Sequence, residues 1–235
     1  MGMAARSLAA ILVAIAVGAC GGASTSRLSP ARSPTPTCQG LPAGDRAFRI
    51  DQAEVTYTAH EQITKKEIQD LLKIVGIDNT AVGRTSQVTG EVDLGRDLSI
   101  ARLRVTANLR TLASDSPLRD DRIRNQFLES NRYPNAIFTA SGVTTVASPD
   151  AAGLEAHLDV PGQLTVREIS NPFTLKVKGK LLGSTLAGSG SGTLRMKDYG
   201  FDPPEIAGAI KVSEGLVIGV TFSASETPCT ALDGG

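Results

Sequence analysis

Two histidines, three cysteines and a short run of carboxylates are the residues of this 235-residue chain whose types could do chemistry. His60 and His157 stand far apart, with no cysteine and no paired carboxylate at metal-ligand spacing beside either, so no metal site is expected. Gly188-Ser189-Gly190-Ser191-Gly192 resembles a nucleophile elbow at first sight. Its serines fall one position away from the Gly-x-Ser-x-Gly spacing that would present the hydroxyl. Asp115, Asp120 and Asp121 fall in the first turns of a helix starting near Ser116, where the helix dipole accounts for them without catalysis. No catalytic residue and no cofactor is therefore expected, and the chain reads as a binding protein rather than an enzyme.

The cysteines divide by position. Arg6 and the apolar run 8–17, too short to span a bilayer, lead into Val17-Gly18-Ala19-Cys20. This resembles a bacterial lipobox, which implies cleavage before Cys20 and diacylation of its sulfur; an ordinary signal peptide with a chance cysteine is the rival. Residues 1–19 then form a signal peptide. Residues 20–44, with Pro30, Pro34, Pro36 and Pro42 and almost no large apolar side chain, form a lipidated tether. The expected location is extracytoplasmic, anchored to the outer face of a bacterial membrane. Cys38 and Cys229 flank the folded region and can bridge in such a compartment, adding about 3–5 kcal/mol by chain entropy, or can remain free thiols.

Residues 45–229 suit a single domain, with 230–235 as a tail. Lys and Arg total 24 against 24 Asp and Glu, a balance that gives no electrostatic argument for nucleic acid. The dominant pattern has period two, which sorts side chains onto two faces of a strand. Phe173, Leu175, Val177 and Leu181 alternate with Thr174, Lys176, Lys178 and Lys180, and Leu103, Val105 and Ala107 alternate with Arg102, Arg104 and Thr106. About eight such segments, each dry on one side, predict an all-β antiparallel barrel. One or two short helices interrupt it. Thr64-Lys65-Lys66-Glu67 is a capping box for a helix through Val75, and Ser116-Pro117 starts a second running to about Ser130.

In the segment 186–196, Gly188, Gly190 and Gly192 share the apolar face with Leu186, Leu194 and Met196. Inward glycines in a small barrel mean either room for a ligand or close approach by a neighbouring element, and both readings stay open.

Leu118-Arg119-Asp120, then Arg124, Phe127 and Leu128, then Tyr133-Pro134-Asn135-Ala136-Ile137-Phe138 make a combination similar to the YceI-like, polyisoprenoid-binding family. Asp51 after the first strand, Gly90, Leu164-Thr165-Val166 before Pro172, and Asp198-Tyr199-Gly200 agree in order and spacing. The chain departs from the family pattern at Glu168-Ile169-Ser170 and in the helix after Thr64, which looks like an insertion near the barrel mouth. The resemblance implies an extended, lipocalin-like barrel that holds an isoprenoid lipid, either a polyprenyl phosphate or an isoprenoid quinone.

On that expectation the tail lies along the inward residues Phe48, Tyr57, Phe138, Leu164, Val166, Phe173, Leu175, Gly190, Leu194, Ile218 and Phe222. Arg119, Arg124 and Tyr133 are the candidates for a polar head, because arginine can fork onto phosphate. The competing reading pairs Arg119 and Asp120 with each other or with neighbours to fix the second helix against the barrel. Expected partners are the lipid and the membrane reached through Cys20, with no nucleic acid and room for a homodimer. A barrel packed solid and used as a cell-surface interaction module is the alternative function.

Overall fold

The computed structural model describes residues 41, 44–63, 65–67, 69–70, 80–144, 147–150, 153–206 and 210–228. Cys20, Cys38 and Cys229, with the segments expected as signal peptide, tether and tail, lie outside the described residues, apart from residues 41 and 44 of the tether.

Twelve antiparallel strands appear among the described residues. They are β1 (Arg46–Ile63), β2 (Thr80–Thr85), β3 (Val88–Leu94), β4 (Ile100–Asn108), β5 (Ala113–Ser114), β6 (Asn135–Val143), β7 (Ala147–Asp150), β8 (Gly153–Val166), β9 (Ile169–Leu182), β10 (Thr185–Arg195), β11 (Glu205–Ile206) and β12 (Ile210–Glu226). Eight of them follow one another as β12-β10-β9-β8-β6-β4-β3-β1, and β1 pairs back with β12, so the barrel is closed. The remaining four are short additions: β2 continues beside β1 and carries β5, β7 lies on β8, and β11 on β12.

The inward parity read from sequence holds on β8, β9 and β10, where Val160, Leu164, Phe173, Leu175, Leu181 and Leu194 are all buried. Asp51 does not follow the first strand as expected; it sits inside β1, where the register shifts between Ile50 and Gln52. The extra residue of such a bulge lets Phe48 and Ile50 face the interior first and Val55 and Tyr57 face it afterwards. The Asp51 carboxylate accepts a 2.6 Å hydrogen bond from the Ser225 hydroxyl on β12.

The two ends of the barrel differ. At one end lie the start of β1, the β3–β4 turn, the β9–β10 turn and the end of β12. At the other lies α1 (Pro117–Arg122), continued by a single π-helical stretch, Ile123–Phe127. Ser116 caps α1 as expected, its hydroxyl accepting from the Arg119 amide at 3.4 Å. The helix expected from Thr64 is described only at residues 66–67 and 69–70, just beyond the end of β1 and hence at this second, helical end.

The Asp120 carboxylate, read from sequence as a dipole residue, is buried and accepts from both the amide (2.9 Å) and hydroxyl (2.6 Å) of Ser114. It ties α1 to β5. Arg119 reaches Asp115 on one side and, at 3.8 Å, Glu61 of β1 on the other, so the arginine and aspartate bind neighbours rather than each other.

At the opposite end Arg46 forks onto Glu226, at 2.9 and 2.7 Å, and stitches β1 to β12 where the barrel closes. The hydrogen bond from Arg46 holds the Glu226 carboxyl below its usual range. A depressed carboxylate adds stability above its unfolded pKa and loses it as pH falls through the folded value. Glu226→Gln should lower stability at neutral pH by up to about 1 kcal/mol, and the difference should vanish in acid, as urea unfolding at several pH values would measure.

Candidate functional site

An apolar cavity of about 120 Å³ opens inside the barrel at the end opposite α1. Its walls come from β1, β3, β4, β8, β9, β10 and β12, and every lining residue is apolar or glycine. No hydroxyl, amide or charged side chain lines it, so it can accept hydrocarbon but offers nothing to a polar head.

Two features keep this space open and shaped. Gly179 on β9 lines the cavity, and a Cβ placed there meets nothing within 4 Å. Leu98, in the β3–β4 turn, also lines it and has a left-handed backbone, φ 65°. A leucine in that conformation is strained by about 1–2 kcal/mol. The turn holds it through Gly95, whose carbonyl accepts from the Leu98 amide, and through Asp97, whose carboxylate accepts from the Ser99 amide and hydroxyl.

The residues nominated from sequence fall into four groups. Leu175 and Phe222 line the cavity. Phe48, Phe138, Leu164, Val166, Phe173 and Leu194 belong to the packed core, and Ile218 packs against it. Gly190 is inward, but Val177 and Val220 lean over it, at 3.2 and 3.3 Å from where its Cβ would be. The other two inward glycines of β10 are also covered, Gly188 by Phe222 and Gly192 by Phe173. Of the two readings of the glycine-rich strand, close approach by neighbours describes these three positions.

Tyr57, Arg119, Arg124 and Tyr133 lie toward the helical end, and none of them lines the cavity. Arg124 donates to the Leu112 carbonyl at 3.1 Å, and Arg132 stacks over the Tyr133 ring at 4.9 Å. The Tyr57 ring covers Gly83, its register partner on β2, and its hydroxyl is buried without a hydrogen-bond partner. Burial pushes the Tyr57 phenol up to about 12, against the opposing pull of Arg119. Burial likewise raises Tyr199, the last residue of the 3₁₀ turn after β10, to about 12.

Several lining residues were not nominated, among them Leu98, Ile100, Leu154, Leu158 and Gly179. Alternation placed some of them on the dry face but carried no measure of depth along the barrel. Their closeness to the two turns at residues 95–99 and 183–184 was the available signal.

The YceI-like domain family matches residues 49–224, most of the chain. The chain belongs to the YceI family. Among solved structures, this YceI protein is similar to a polyisoprenoid-binding domain from Saccharophagus degradans implicated in plant cell wall breakdown. The two are 12% identical, with 77% of this chain and 98% of that one covered and a TM-score of 0.56. It is also similar to BcnA of Burkholderia cenocepacia, at 14% identity, 74% and 96% coverage and a TM-score of 0.51. At these identities the likeness shows the fold. No curated protein matches the chain in sequence.

If the Tyr57 hydroxyl has no role in holding a polar head, Tyr57→Phe removes an unpaired buried group. Thermal unfolding should then show a stability unchanged or raised by up to about 1 kcal/mol, with lipid uptake unaltered.

Proposed function

We propose that this YceI protein is an extracytoplasmic, lipid-anchored protein that sequesters or carries an isoprenoid lipid, with the apolar end of the tail in the barrel cavity and the polar head outside its mouth. The observation that carries this reading is the wholly apolar lining of a cavity inside a closed barrel. Water gains little in such a space, whereas each buried methylene of a tail contributes about 0.8 kcal/mol. The structural relative from Saccharophagus degradans is a polyisoprenoid-binding domain, which supports the isoprenoid class. A polyprenyl phosphate and an isoprenoid quinone both meet the requirement, since they share the tail and differ only in the head.

The anchor rests on the sequence. Cys20 after Val17-Gly18-Ala19 is the acylation site, and the proline-rich stretch behind it is the tether. The domain begins at Arg46, on the same end of the barrel as the cavity.

The test is mass spectrometry of the organic extract from the full chain, purified without detergent from a lipid-containing host. An isoprenoid recovered in stoichiometric amount is the expected result and identifies the head. Absence of lipid, even after incubation with polyprenyl phosphates and quinones, overturns the carrier reading and leaves a cell-surface interaction barrel in its place.

A further inference from the structure

The cavity does not run the length of the barrel. One layer below it, the rings of Phe138 on β6 and Phe173 on β9 meet edge to face, with centroids 5.9 Å apart and planes at 81°. Both are buried, at 5% and 6% exposure, and neither lines the cavity. Each ring has a glycine as its seat. A Cβ at Gly162 on β8 would lie 2.7 Å from the Phe138 ring, and one at Gly192 on β10 would lie 2.5 Å from the Phe173 ring. Phe138 and Phe173 stand on the two strands that flank β8, and the missing side chain at Gly162 lets their rings meet over it and project into the interior.

We infer that the Phe138–Phe173 pair, seated on Gly162 and Gly192, is the floor of the ligand cavity and sets how many isoprene units this protein can bury. The inference rests on the carrier reading above and adds the determinant of tail length. An apolar cavity of roughly 150 Å³ takes a benzene-sized guest, which is close to one isoprene unit in size. The 120 Å³ above the floor therefore takes about one unit, with a second in contact with the walls at the mouth. Because nothing polar lines the space, a tail enters with its apolar end first and stops at the rings. The units beyond stay outside with the head.

The floor makes a graded prediction. Affinity rises with tail length while each added unit finds apolar wall, by about tenfold or more per unit, and then stops rising. The experiment is calorimetric titration of the lipid-free full chain with dimethylallyl alcohol, geraniol, farnesol and geranylgeraniol, which carry one to four isoprene units on the same head. For the native chain the gain should end by the second unit. Phe173→Leu, which shortens the floor, should move the end of the gain to a longer alcohol. Gly179→Leu, which fills the cavity from a wall with open space and leaves the floor untouched, should move it to a shorter one. If Phe173→Leu does not fold, the Gly179→Leu shift and the native plateau carry the test.

Affinity that climbs through all four alcohols, or a plateau that stays in place in both variants, overturns the floor while leaving isoprenoid binding intact. Failure of the native chain to bind any of the four overturns the carrier reading and this inference with it.

Discussion

Closure of the sheet between β1 and β12 is the constraint from which the rest of this molecule follows. The two strands pair along nearly their whole lengths, from Phe48 with Glu226 to Ile63 with Ile210. Closure removes the free edges that an open sheet would present. It also converts a face into an interior. Every inward position of eight strands then competes for one enclosed volume, and an unfilled position becomes either a void or a seat for a neighbour's side chain. The bulge at Asp51 belongs to the same constraint, because without it half of β1 would direct its apolar residues to water.

Within that volume the glycines do different work according to what stands across from them. Gly162, Gly188 and Gly192 are overlaid by Phe138, Phe222 and Phe173, and Gly83 by Tyr57, so at four places a ring packs where a side chain is missing. Gly179 has no such partner, and that position is part of the cavity wall. The helical end is fastened differently. Asp120 on Ser114, Arg124 on the Leu112 carbonyl and Arg110 on the Ser130 and Asn131 carbonyls join α1 and the loop after it to β5 and to the turn between β4 and β5 by polar contacts. Backbone strain appears at this end too. Glu129, Arg167 and Glu168 all have left-handed backbones, and the Arg167–Glu129 ion pair joins two of them.

The fold was legible because alternation with period two identifies a face, and eight faces with one dry side imply closure. The cap at Ser116 was legible because its chemistry is local. The position of the cavity was not, for two reasons. Period two says which way a side chain points and nothing about its height in the barrel, so Phe173 and Leu175 looked equivalent although one is floor and the other wall. Gly192 and Phe173, and Gly162 and Phe138, meet only through strand register, which the sequence leaves open. Arg119, Arg124 and Tyr133 drew attention as a head-group site because arginine can fork onto phosphate and tyrosine offers a donor beside an apolar body. In the structure Arg119 on Glu61 and Arg124 on the Leu112 carbonyl join the helical segment to the barrel at the end away from the cavity.

An apolar cavity kept open is itself a statement about selection between stability and use. Filling Gly179 would add buried surface with no clash, and in a barrel kept only for its fold such a substitution would raise stability. The strained backbone of Leu98 works in the same direction, since a glycine there would relax it. Both positions line the same cavity, one by leaving space and the other by bending a turn so that a leucine closes over that space. A bound tail would restore the missing contacts and add stability in proportion to its occupancy. The two local weaknesses thus coincide at a place where a hydrocarbon guest would offset them.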